Sequence, residues 1–160
     1  MRWSLGMIMG LLLGVSAVGA RDLESMVTDL TAPELAGRGA GTPEELAAAR
    51  LVAGWLQELG LEPAVPGWLQ TVPRAEGASV NVLGVLPGHG ELQNRWLVLG
   101  AHLDHLGRVD PTATGVPGPG EYYPGAGDNA SGVAAVIEVV RRLTAEPPSE
   151  ACRSVLVCAF

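Results

Sequence analysis

The sequence predicts an α/β fold, and three observations carry that expectation. Segments of helical periodicity and segments of strand character alternate along the chain, as they do where helices pack on a sheet. Residues 96–101 form an unbroken apolar run, the pattern of a strand covered on both faces. A long Gly- and Pro-rich connection, residues 104–127, separates that run from the next helical segment, and loops of that length are usually functional or disordered. With 160 residues the chain is one domain by size, or part of a larger one.

The elements follow in order. Residues 22–30 read as a helix, with Leu23, Met26, Val27 and Leu30 on one face. The glycines of residues 36–41 interrupt regular structure. A second helix starts at Thr42 as N-cap, with Pro43 at its first position and Glu45 placed to close a capping box. Ala48, Leu51, Val52, Trp55 and Leu59 line its apolar face, and Gly60 stands where a helix-ending glycine is expected. Strands are expected over 69–72, 79–86 and 96–101. A third helix covers 131–143, with Val133, Val136, Ile137, Val140 and Leu143 turned inward, and a last strand covers 154–160. That strand ends with the sequence itself. A buried central strand is ordinarily followed by a loop and a covering helix, so the expectation is a fragment or a truncated reading frame.

Composition narrows the function. The net charge is −7 and no basic cluster occurs, which argues against nucleic acid and anionic membrane surfaces as partners. At the N-terminus, Arg2, the apolar stretch 5–15 and the small residues ending at Ala20 have the layout of a signal peptide over residues 1–20. The apolar stretch is short for a membrane span, although an uncleaved signal anchor is the alternative. The mature part then begins near Arg21 and belongs to a secreted or periplasmic protein. Cys152 and Cys158 lie on or beside one strand, six positions apart, so their Cα atoms would be roughly 20 Å apart, beyond disulfide reach.

Of the three histidines, His89 lies in a turn of residues 87–90 and is expected to be solvated. His102 directly follows the apolar strand, at the sheet edge where ligands of α/β folds bind. Asp104, two residues on, can accept the second ring N–H of a metal-binding imidazole. Asp128 precedes the third helix. It could cap that helix, or it could converge with His102 on a metal, where a carboxylate can bridge two ions ~3.5–4 Å apart.

The stretches Ala101-His102-Leu103-Asp104-His105-Leu106-Gly107 and Tyr123-Pro124-Gly125-Ala126-Gly127-Asp128-Asn129-Ala130-Ser131-Gly132-Val133 resemble the paired signature of a family of di-zinc peptidases. That family includes bacterial leucyl aminopeptidases, glutamate carboxypeptidases and glutaminyl cyclases (metallopeptidase family twenty-eight). Residues 35–42 are similar to the family's opening motif, and Asn81-Val82-Leu83-Gly84 to its first core strand. The resemblance implies a three-layer α/β/α fold around a mixed, mostly parallel sheet, incomplete at the C-terminus. Residues 21–160 would be the N-terminal part of a single peptidase domain. It implies two zinc ions as cofactor and a peptide as substrate, and it assigns no oligomeric state. His102 would bind one zinc, Asp104 would be the catalytic-site acid that orients it, and Asp128 would be the bridging carboxylate, followed by a non-proline cis peptide. His105 and Asn129 would lie near the site without a ligand role. Gly127 stands where many relatives have a second acid.

The family also places an acidic pair after the strand matching 154–160, the first Glu as general base and the second as a zinc ligand, and later an Asp and a His. None of these occurs in the 160 residues. The implied activity is that of a secreted aminopeptidase-type exopeptidase, with this chain alone inactive and a weak binder of zinc. Glutaminyl cyclisation, dipeptide carboxypeptidase action and a non-catalytic role on the same scaffold are the alternatives.

Overall fold

The described residues open on helix α1, Leu23–Leu30, whose first turn is closed by the Asp22 carboxylate accepting from the Ser25 N–H at 2.7 Å. The structure, a computed structural model, describes residues 21–75, 77–110, 112, 121–146 and 150–160. The expected signal peptide at 1–20 and most of the Gly- and Pro-rich stretch 111–120 lie outside the described residues.

Helix α2, Pro43–Glu58, starts where the sequence signals placed it. The Thr42 hydroxyl accepts from the Glu45 N–H at 3.2 Å. The reciprocal half of the capping box is shifted by one residue, since Glu45 Oε2 accepts from the Gly41 N–H at 2.6 Å rather than from Thr42. The other Glu45 oxygen accepts from the Ser79 hydroxyl on the sheet. A carboxylate with partners on both oxygens can be buried without an orphaned charge, and Glu45 is buried. One side chain thus caps the helix and ties it to the sheet.

The sheet has five strands: β1 Glu62–Pro63, β2 Leu69–Pro73, β3 Ala78–Leu86, β4 Trp96–Ala101 and β5 Ser154–Ala159. β1 and β2 take successive stretches along one edge of β3, both antiparallel. The other edge of β3 pairs antiparallel with β5, and β5 pairs parallel with β4. The sheet is therefore mixed, as expected. Within the described residues, however, the balance is antiparallel, with the single parallel pairing between the two strands nearest the candidate site.

One face of this sheet carries Val82, Ala101, Val157 and Ala159. It packs against Val52 and Leu56 of α2 and against Val133 and Ile137 of helix α3, Ser131–Ala145. The opposite face is open among the described residues: Trp96 and Val98 are 55 % and 67 % exposed. The expectation that β4 is covered on both faces is corrected here. An all-apolar strand carries no alternation to say which face is covered, and the cover has to come from elsewhere in the chain. Leu143 is likewise exposed rather than turned inward, because α3 extends past the rim of the core near its C-terminus. Among the described residues no helix is long and apolar enough to cross a membrane.

This one-sided core predicts unequal costs for similar truncations. Leu56→Ala, in the fully buried layer, should destabilise the chain by ~2–5 kcal/mol. Val98→Ala on the open face of β4, which is 67 % exposed, should stay within about 0.5 kcal/mol. Urea unfolding midpoints of the two variants check the difference.

Candidate metal centre

The parallel pairing of β4 and β5 continues past their ends, with Phe160 N–H donating to Ala101 O at 3.1 Å and Leu103 N–H to Phe160 O at 2.5 Å. His102 is held at this C-terminal rim. Its Nδ1 lies 3.1 Å from the main-chain carbonyl of Asp104 and 3.5 Å from the Asp104 carboxylate. The carbonyl, not the carboxylate, is thus the nearer acceptor for a proton on Nδ1. With that proton placed, Nε2 presents its lone pair outward.

What it faces is Asp128, whose Oδ1 lies 3.1 Å from His102 Nε2. The second oxygen, Oδ2, lies 3.7 Å from Nδ1 of His105. Asp128 stands in the irregular turn Ala126–Ala130 that leads into α3, and its peptide bond to Asn129 is cis. Capping of α3 falls to the neighbour: the Asn129 amide oxygen accepts from the Gly132 N–H at 3.1 Å. The Asp128 carboxylate is thereby free of the helix and stays 70 % exposed. A Cβ on Gly132 would collide with that Asn129 amide and push it out of its capping position.

The loops that carry these groups meet on a residue not singled out for a role from sequence. Arg38, in the left-handed region at φ 50°, is fully buried. Its Nε donates to Leu103 O at 2.9 Å, Nη1 to Leu30 O and to Pro124 O (2.9 Å), and Nη2 to Gly125 O at 3.1 Å. Its own carbonyl accepts from the His105 N–H at 3.1 Å. Burial pulls the guanidinium below its usual pKa, while the negative charge of Asp104 pulls it back up. The Gly-Arg spacing of residues 37–39 was the only signal in the sequence, and it says nothing of which carbonyls a buried guanidinium will reach.

A cleft of about 540 Å³ adjoins the centre through Asp104 and His105 and runs between Glu44, Arg74 and Arg108. Arg108 pairs with Glu44 at 3.0 Å. Together with the Glu44 backbone N–H, it holds that carboxyl below the usual range.

The donors suit a transition metal in part. Two ligands ~2.0–2.2 Å from one tetrahedral ion lie roughly 3.3–3.5 Å apart, close to the separation of His102 Nε2 and Asp128 Oδ1. Two lone-pair groups facing each other at that distance also call for a shared positive charge. No group of three or more His, Cys, Asp or Glu able to enclose an ion occurs among the described residues. The structure brings His102, Asp104, His105 and Asp128 together. Gly127 faces open space beside them.

The α/β sheet gathers imidazoles and a carboxylate at the C-terminal rim of its parallel strands, the edge where α/β folds bind ligands. The sequence model of peptidase family M28 matches residues 81–160, half of the chain, and the chain belongs to that family. The fold is shared with solved structures of low sequence identity. The Legionella pneumophila aminopeptidase LapA is 17% identical with a TM-score of 0.60, over 87% of this chain and 33% of that one. A Porphyromonas gingivalis glutaminyl cyclase is 19% identical with a TM-score of 0.61, over 87% and 44%. A Zn-dependent exopeptidase from Parabacteroides distasonis is 21% identical with a TM-score of 0.61, over 87% and 45%. The chain thus spans between a third and a half of the length of these structures. No curated protein matches it.

Two glycine substitutions separate the site from its surroundings. Gly132→Ala should cost ~1–3 kcal/mol by displacing Asn129. Gly54→Ala, mid-helix in α2 with nothing near, should be stabilising by up to ~1 kcal/mol. Arg38→Met leaves four carbonyls without their donor and should cost on the order of 2–5 kcal/mol. Arg38→Lys should recover little of that, because an ammonium lacks the guanidinium fork. Denaturant midpoints of the four variants test these signs and their order.

Proposed function

We propose that this chain supplies one wall of a zinc-dependent exopeptidase centre that removes residues from the amino ends of peptides. The single observation that supports it most is the facing of His102 Nε2 and Asp128 Oδ1 at 3.1 Å, on the rim where the parallel strands end. In this reading His102 and Asp128 are ligands and Asp104 orients the His102 ring. The second Asp128 oxygen is left for a second ion. Zinc, when bound, supplies Lewis acidity toward the scissile carbonyl and activates water at neutral pH. The chain's own residues bind and orient it, and the cleft between Glu44, Arg74 and Arg108 receives substrate.

The remaining ligands and a general base would lie on polypeptide outside these 160 residues, in keeping with the relatives' greater length. The chain alone would then bind zinc weakly and turn over no peptide. Export from the cytoplasm, directed by residues 1–20, belongs to the same proposal. A second reading, cyclisation of amino-terminal glutamine, has support from the glutaminyl cyclase among the similar folds.

Cobalt(II) titration of the chain, followed by its visible absorption, tests the ligands. Weak binding is expected, falling by about tenfold or more in His102→Ala and in Asp128→Asn. Binding indifferent to both substitutions would remove the basis for the proposal, and tight binding lost in both would mean that the chain holds more of the ligands than these two. Where turnover is found in the polypeptide carrying the remaining ligands, aminoacyl anilides and glutaminyl peptides assayed side by side decide between the two reactions.

A further inference from the structure

At the rim opposite the candidate metal centre, where β3 ends and β5 begins, two residues outside the regular strands face each other. His89 and Cys152 form an antiparallel bridge, with His89 N–H donating to Cys152 O and Cys152 N–H to His89 O, both at 3.0 Å. Residues paired in this way carry their side chains on the same face. The Cys152 sulfur accordingly lies 3.0 Å from His89 Nδ1. The expectation that His89 is solvated is corrected: it is half-buried against a thiol.

The local sequence builds this contact. A Cβ at Gly88 would collide with the Cys152 carbonyl, so only glycine lets the two backbones close to this distance. Ser154 fastens the loop from below, accepting from the Gly88 N–H at 3.0 Å and donating to Gln93 O at 2.8 Å. The pair is therefore held by main-chain bonds and does not depend on a long side chain finding its partner. Along β5, the eight steps from Cys152 to Phe160 at ~3.3 Å each put it roughly 25 Å from the His102 rim.

We propose that Cys152 and His89 form a reactive thiol–imidazole pair that exchanges with small-molecule disulfides, at a site independent of the metal centre. A nucleophilic thiol with a base within hydrogen-bond reach is the arrangement that activates cysteine. With the His89 ring proton on Nε2, Nδ1 accepts the proton of the Cys152 thiol. The thiolate attacks one sulfur of R–S–S–R, the S–S bond of the reagent breaks, and the Cys152–S–S–R bond forms. The leaving RS⁻ takes up the proton from the imidazolium. One thiol and one disulfide give one thiol and one mixed disulfide, so the reagent is the only oxidant needed.

Cys158 provides the internal reference. It lies on β5 itself, makes no such contact among the described residues, and burial pushes its thiol up. The test is the rate at which dithiobis(nitrobenzoate) releases its coloured thiol at neutral pH. Cys158→Ser leaves Cys152 to react, and Cys152→Ser leaves Cys158. Cys152 should react roughly tenfold faster or more, with mass spectrometry locating the mixed disulfide there, and His89→Gln in the Cys158→Ser background should remove most of that advantage. Circular dichroism verifies that each variant keeps its fold. Equal rates at the two cysteines would overturn the proposal. So would an unchanged rate in His89→Gln, and so would a faster one, which would mean that the imidazole shields the sulfur.

Discussion

The buried Arg38 guanidinium is the constraint on which the candidate site depends. Three separate stretches of chain meet at it: the end of α1 through Leu30, the stretch after β4 through Leu103, and the approach to Asp128 through Pro124 and Gly125. None of the four acceptors is a carboxylate. A fully buried cation held only by neutral carbonyls is costly to desolvate, and Asp104 is the anionic group that offsets part of the cost. The expense is local, and so is what it fixes. Each carbonyl bonded to Arg38 lies within four residues of His102, His105 or Asp128, or in the helix on which their loops rest.

The division of labour between Asp128 and Asn129 follows from the same economy of polar groups. A helix start leaves N–H groups in need of acceptors, and an Asp in that position ordinarily turns toward them. Here Asn129 meets that need, and the close approach of Gly132 is what gives its amide room. Asp128 keeps both oxygens available for the two imidazoles. From sequence Asp128 was the candidate cap, and that Asn129 caps in its place is decided by the shape of the turn, which no spacing rule encodes.

That contrast marks what was legible. Thr42, Pro43 and Glu45 announced α2 because capping is settled within four residues, and the helix begins at Pro43. The run Trp96–Ala101 was read as a strand to its exact ends for the same local reason. The convergence of His102 with Asp128 was legible only through motif resemblance, because 26 positions of chain separate them. What escaped was set across the fold: the open face beside Trp96 and Val98, the four acceptors of Arg38, and the Glu45 bond to Ser79. His89 was misjudged on the same ground, since its partner Cys152 lies 63 residues away.

Strand direction then explains why the molecule has two chemically distinct rims. β4 and β5 run parallel, so both deliver their C-terminal ends, with His102 and Phe160, to one side. β3 runs against β5, so its C-terminal turn, with His89, must meet the start of β5, with Cys152, on the other. One antiparallel neighbour beside the single parallel pair is enough to place oxygen and nitrogen donors at one edge and a thiol–imidazole contact at the far one. The two sites share the sheet but no side chain. Between them runs the backbone of β5, hydrogen-bonded along both edges. Separation of the two rims is therefore a property of the topology, and does not depend on which residues occupy either of them.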